Sequence, residues 1–192
     1  MTKLSHKIIK LEEIISAQKI QTISFDIDGT IYPIARVQLR WWKKFLLDNS
    51  SARRFYAIKK NWEGRRQGNS TDKVLSDDVL FYEKFLVDML DPSLVPTEMS
   101  TWINQLEARG IKLYFLSDHG AQAKLLKLNL SNHCAAINCL AETGELKPHH
   151  MISRLLKEIY HLDPINHLHL GDRWTDEEQA KLFGCHFHYL KT

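Results

Sequence analysis

Two carboxylates close a short apolar run at Thr22-Ile23-Ser24-Phe25-Asp26-Ile27-Asp28-Gly29-Thr30. The run reads as a buried strand, and Gly29 allows the turn that brings Asp26 and Asp28 toward one site. Paired acids at a strand end suit a hard cation or acid/base work; a solvated acidic turn is the plainer alternative. Three more groups of this kind follow: Ser117 after the apolar run 111–116, Lys147 before Pro148 at a helix start, and Asp172 with Asp176 after the run 166–170. In open parallel sheets ligands bind beyond the carboxyl ends of the strands, so these residues can converge although they lie far apart in the chain. Together the carboxylates can hold a magnesium ion with positions left for water and a phosphate oxygen. Lys147 and the Ser117 hydroxyl would then serve the remaining phosphoryl oxygens, where charge gathers in the transition state.

The elements that must position these groups are readable from periodicity. Leu4, Ile8, Leu11 and Ile15, with Ile14, form an amphipathic stripe, so residues 1–20 are expected to be a helix packed on the chain's own sheet, with a dimer contact as the alternative. Residues 33–95 have a helical period. Trp41, Trp42, Phe45 and Leu46 make one apolar face, Phe55, Ile58 and Trp62 a second, and Leu80, Phe81, Phe85, Leu86 and Met89 a third, behind a break at 67–72 and an N-cap at Ser76. This predicts three or four helices packed as a cap. From Pro96 onward strands and helices alternate, which predicts an α/β fold with a parallel sheet. Strands are expected at 111–116, 135–140, 166–170 and 185–190, and helices at 97–109, 121–127, from Pro148 and at 176–183.

Apolar residues make up 44% of the chain and charged residues 26%, the balance of an ordinary globular protein, and no apolar run reaches membrane-spanning length. Three cysteines, Cys134, Cys139 and Cys185, match no metal-ligand spacing and are expected as reduced thiols of a cytoplasmic protein. Charge is uneven: between residues 35 and 73 eleven Lys and Arg stand against three Asp and Glu, a balance of +8. On the second cap helix these cations ring the axis, as expected of a solvated face flanking an apolar seam; they could also steer anionic substrates, and no single stripe for a nucleic-acid backbone appears. His167 with His169 and His186 with His188 alternate on their strands and could cluster, but no further ligand is specified, so satisfied or solvent-facing histidines are expected.

The order and contexts of the polar groups resemble the haloacid dehalogenase superfamily in its phosphatase branch. Asp26-Ile27-Asp28-Gly29-Thr30 is similar to the first motif, Leu116-Ser117-Asp118 to the second, Lys147-Pro148 to the third and Gly171-Asp172-Arg173-Trp174-Thr175-Asp176 to the fourth. The resemblance implies a Rossmann-like core with helices on both faces, made of residues 21–32 and 96–192, and a small all-helical cap at 33–95. It implies Asp26 as a nucleophile that forms an aspartyl-phosphate and Asp28 as the acid/base. It also implies phosphate contacts from Ser117, Lys147 and Thr30, and Mg2+ held by Asp26, the Asp28 carbonyl and Asp172 with Asp176 in support. An acid at position 28 favours phosphoryl chemistry over dehalogenation, because a halide needs no proton. Asp118 and the pair His149-His150 depart from the common pattern and bear on the substrate. The expected activity is hydrolysis of a small phosphorylated metabolite, with a phosphomutase or a noncatalytic binding module as alternatives; neither a nucleic-acid nor a membrane partner is expected, and oligomeric state is left open.

Overall fold

The computed structural model describes residues 2–66, 76–132 and 135–192, with the side chains of Leu47 and Ser76 also left out. The break expected at 67–72, the Ser76 cap and Cys134 therefore lie outside the described residues. Among those residues five parallel strands, β1 (Thr22–Asp26), β2 (Lys112–Ser117), β3 (Ala135–Asn138), β4 (His167–Gly171) and β5 (His186–Tyr189), form one sheet in the order β3-β2-β1-β4-β5. β1 lies at the centre because Ile23 and Phe25 have no exposed surface, as befits a strand covered on both faces.

Helices cover the two faces. On one, α1 (Lys3–Ala17) and α5 (Thr97–Ala108) bring Leu11, Ile15, Trp102 and Ile103 against Ile23, Phe25 and Phe115. On the other, α8 (His150–Glu158) and α9 (Trp174–Phe183) bring Ile152, Leu156 and Phe183 against Leu116 and Ile137. The alternation of Phe115 and Leu116 between the two clusters is the period-two signature of a strand. Two shorter helices, α6 (Ala121–Lys127) and α7 (Cys139–Thr143), follow β2 and β3. The sequence predicts strand through Leu140, but the strand ends at Asn138, and Leu140 N donates to the Asp118 carbonyl at 3.0 Å as the chain turns into α7. Likewise α8 starts at His150, with the His149 side chain as its cap, so Pro148 precedes the first turn.

Between β1 and β2 the chain builds the cap from α2 (Ile34–Leu47), α3 (Asn49–Arg66) and α4 (Ser76–Val87). Its centre is a cluster of rings on Phe55, with centroids 5.0 Å from Trp41, 4.7 Å from Tyr82 and 5.0 Å from Phe85. The expected apolar face of α2 is narrower than its residues suggest: Trp41 and Phe45 are buried, whereas Trp42 is 59% and Leu46 84% exposed. Leu80 of α4 is also exposed. A stripe of four wide residues subtends more of the helix than two neighbouring helices can cover. No described helix is long and apolar enough to cross a membrane.

Phe55→Ala should lower the unfolding free energy by about 3–5 kcal/mol in urea titrations, as a large-to-small change in a filled core does. Leu46→Ala should change it by about 0.5 kcal/mol or less.

Candidate active site

Register decides which side chains meet. Asp26, at the end of β1, is the pairing partner of Leu116 on β2, and Phe25 is the partner of Leu170 on β4. Ser117 and Asp172 therefore leave the sheet on either side of Asp26, at one edge. Two glycines make room. Gly29 has φ +97°, and a Cβ there would collide with the Asp172 carboxylate. A Cβ on Gly171 would run into the side chain of Asp176.

Lys147 ties the centre together. Its side chain has no exposed surface, and Nζ donates to Asp26 Oδ1 at 2.6 Å, to Asp176 Oδ1 at 2.7 Å and to the Leu116 carbonyl at 3.4 Å. Burial works against its charge, yet Asp176 and Asp26 outweigh it and hold the ammonium above the usual lysine range. Asp26 responds in the opposite sense: burial, then the charge of Asp176, pushes its carboxyl up to about 7 despite Lys147. Burial also raises Asp172. Asp176 overcomes its burial through Lys147 and His169 and is depressed.

Asp26, Asp172 and Asp176 each bring a carboxylate oxygen within 4.8 Å of the others. Asp26 Oδ2 and Asp172 Oδ1 are buried and have no hydrogen-bond partner among the described residues. Buried carboxylate oxygens left without donors are costly unless a cation completes them. The set fits a hard divalent ion, which takes oxygen ligands and would draw the raised carboxyls back to their ionised forms.

Asp28 is held apart from that cluster. Its Oδ1 accepts from Tyr32 Oη and its Oδ2 from Lys124 Nζ, and although burial opposes ionisation, Lys124 and His119 pull the carboxyl down to about 2. Lys124, also fully buried, donates from Nζ to Ser117 Oγ at 3.0 Å, while Ser117 Oγ donates to the His119 carbonyl at 3.0 Å. Thr30 is fully buried, with its hydroxyl unpartnered among the described residues. Thus Asp26, Asp28, Ser117, Lys147, Asp172 and Asp176 meet at this edge, whereas no hydrogen bond joins the Thr30 hydroxyl to them among the described residues. Asp176, expected to act only in support, contributes an oxygen to the acidic cluster itself.

Sequence reasoning missed Tyr32, Lys124, His119 and the roles of Asp118 and Arg66. Asp118 Oδ1 accepts from Lys147 N at 2.8 Å, and its Oδ2 accepts from Arg66 Nη2 on α3. Arg66 also donates to Glu63 Oε1 at 2.8 Å and is 5% exposed, so it is a buried cap-to-core tie and not part of a solvated ring of charge. Arg65 reinforces it on Glu145 at 3.6 Å. The signal available was the acid after Ser117, which needs a cation once buried. Above the acidic edge, core and cap enclose a cavity of about 320 Å³, with Trp41, Trp62 and Tyr82 on the cap side and Asp28, His119 and Arg173 on the core side.

His167 and His169 are buried in the core, His167 with both ring nitrogens bonded and His169 with Nε2 left without a hydrogen-bond partner among the described residues. Ser24 Oγ is hydrogen-bonded to His167 Nε2 and to His169 Nδ1, each at 2.7 Å, and His167 Nδ1 to Thr22 Oγ1 at 2.7 Å. His169 Nε2 lies 3.8 Å from Asp176 Oδ1. Of the cysteines, Cys139 is buried and Cys185 partly so, and both are free thiols.

In metal-free protein the folded state keeps a proton on Asp26 that the unfolded chain releases near pH 4. Its contribution to stability should therefore decline as pH rises from about 4 to about 7. Asp28 and Asp176, both depressed, act only below that window. The check is the difference in unfolding free energy between wild type and Asp26→Asn across that range, which magnesium should flatten. Breaking the Arg66 and Asp118 pair by Asp118→Leu should cost about 3–5 kcal/mol, with much of it recovered in the Arg66→Met double variant.

No family model and no curated protein matches the sequence. Solved structures do. The HAD-hydrolase YfnB from Bacillus subtilis, bound to magnesium, superposes with a TM-score of 0.65 at 19% identity over 88% of this chain and 87% of that one. CbbY from Rhodobacter sphaeroides, in complex with phosphate, gives 0.63 at 16% identity over 90% and 87%. The β-phosphoglucomutase from Clostridium difficile gives 0.61 at 17% identity over 88% and 83%. At these identities it is architecture that is shared: this chain has the haloacid dehalogenase (HAD) hydrolase fold, a Rossmann-like parallel sheet with a helical cap inserted after its first strand.

Proposed function

We propose that this chain belongs to the haloacid dehalogenase superfamily as a magnesium-dependent phosphatase that hydrolyses a small organic phosphate monoester, with residues 33–95 as its lid. The observation that carries the reading is the state of Asp26: one oxygen is fixed by Lys147 at 2.6 Å and the other is buried and unpartnered beside Asp172. A carboxylate so oriented is prepared both for a cation and for attack on phosphorus.

When bound, the ion would be held by Asp26 and Asp172, with Asp176 beside them, and would supply charge neutralisation to the phosphoryl group. The chain's own residues account for the rest. A carboxylate oxygen of Asp26 attacks phosphorus, the ester P–O bond breaks, and the departing oxygen takes a proton from Asp28. Water then attacks the aspartyl-phosphate, gives its proton back to Asp28 and releases phosphate. Lys147 orients Asp26, and Ser117 with Thr30 offers hydroxyls to the phosphoryl oxygens. Lys124 lies between Ser117 and Asp28, so a phosphoryl group on Ser117 competes for its ammonium and frees Asp28 to carry a proton. The cavity of about 320 Å³ beneath the cap suits a small metabolite over a polymer.

Asp26→Asn should reduce magnesium-dependent phosphate release from a panel of monoesters by roughly a thousandfold or more while the circular dichroism spectrum is kept. Retained turnover in that variant would sink the assignment. The likeness to β-phosphoglucomutase supports a second reading, a phosphomutase; accumulation of an isomeric sugar phosphate in place of free phosphate would select it.

A further inference from the structure

The cavity above the acidic edge has two kinds of wall. Its floor carries the charged groups Asp28, Asp172 and Arg173. Its sides bring together rings from separate elements: Trp41 from α2, Trp62 from α3 and Tyr82 from α4, with the His119 imidazole from the core loop after β2. The His119 ring lies 4.7 Å from Trp62 and 4.8 Å from Tyr82, and those two rings are 4.4 Å apart.

The polar groups around these rings are of two kinds: some are committed, whereas Trp41 Nε1 and Arg173 Nε are buried without a hydrogen-bond partner among the described residues. Arg66 is taken by Asp118 and Glu63, and Asp28 by Tyr32 and Lys124. His119 belongs to the second kind: it is 5% exposed, lines the cavity, and its Nδ1 has no hydrogen-bond partner among the described residues. Burial, then the nearby ammonium of Lys124, drops its pKa to about 3, so the ring is neutral and keeps one donor and one acceptor nitrogen.

On the ring-lined side of the cavity the surfaces offered are aromatic faces, which return no hydrogen bond to a hydroxyl drawn out of water. A flat ring satisfies its faces by aromatic contact and needs a partner only at its polar edge. Building on the phosphatase reading, we propose that the cavity selects phosphate esters whose alcohol carries a flat, uncharged aromatic ring with a polar edge. In this assignment His119 is the specificity-determining residue that hydrogen-bonds to that edge, and Trp62 and Tyr82 form the stacking wall.

Four esters test the inference: 3-pyridylmethyl, benzyl and cyclohexylmethyl phosphate, and glucose 6-phosphate. Turnover is followed by phosphate release from wild type, and binding by calorimetry with the Asp26→Asn protein, both with magnesium. The two aromatic esters should exceed the cyclohexyl ester and the sugar by about tenfold in kcat/KM and in affinity. Trp62→Leu should erase that advantage and Trp62→Phe should restore most of it. His119→Leu should erase the preference for the pyridyl over the benzyl ester. Should Trp62→Leu not fold, Trp62→Phe and His119→Leu carry the comparison. Turnover of all four esters without aromatic preference overturns this inference and leaves the phosphatase reading standing. Aromatic preference in binding without turnover of any ester supports the pocket and overturns the phosphatase reading.

Discussion

A buried lysine shared between two buried aspartates is the constraint on which the site depends. Lys147, Asp26 and Asp176 come from three separate parts of the chain, and none is exposed enough to be neutralised by water. The desolvation of three charges is recovered only if all three arrive in register. The parallel ladder provides that register, because β1 is hydrogen-bonded to β2 on one side and β4 on the other. The glycines at 29 and 171 provide the clearance. One positive charge between two negative ones still leaves an excess of anion, which grows when Asp172 is counted. That imbalance, as much as the presence of acids, is why the site calls for a cation.

Around this centre the structure pairs each remaining acid with its own base. Lys124 serves Asp28, and Arg66 serves Asp118. The second pairing joins layers, since Arg66 closes α3 and Asp118 follows β2. Asp118 also receives the backbone N–H of Lys147. The residue that latches the cap is thus the one that fixes the loop carrying the central lysine. Cap position and lysine position are mechanically connected through a single carboxylate, and opening the cap would leave that carboxylate without its guanidinium.

How much of this was legible in the sequence follows from the range of the signal. Asp26, Ser117 and Asp172 could be found because each follows or ends an apolar run, and Lys147 because it shortly precedes a helix; strand ends of a parallel sheet share an edge. The α1 stripe was legible for the same reason: Leu11 and Ile15 are buried where the helical period places them. Lys124 and Arg66 carried no such mark. Each looks like an ordinary surface cation of a helix, and its partner lies 96 or 52 residues away. The rotational phase of α2 was lost similarly, since Trp41, Trp42, Phe45 and Leu46 are all apolar and only the position of α3 and α4 decides which of them are covered.

The histidines show the same limit from the other side. Alternation correctly placed His167 and His169 on one face of β4, but alternation does not distinguish a ligand from a hydrogen-bonded core residue. What decides is Ser24 on the neighbouring strand, in register with His169 and bonded to both imidazoles. With a nitrogen of each ring committed to a hydroxyl, the pair serves the interior of the sheet, although His169 Nε2 is left facing the Asp176 carboxylate at 3.8 Å. His119 makes no such strand-to-strand bond; rings pack against it and its Nδ1 is left over. Burial without a partner is expensive in a folded protein. The two imidazole environments differ in what surrounds them, hydroxyls between strands for His167 and His169 and aromatic rings of the cap for His119, and neither environment is visible in the spacing of the histidines along the chain.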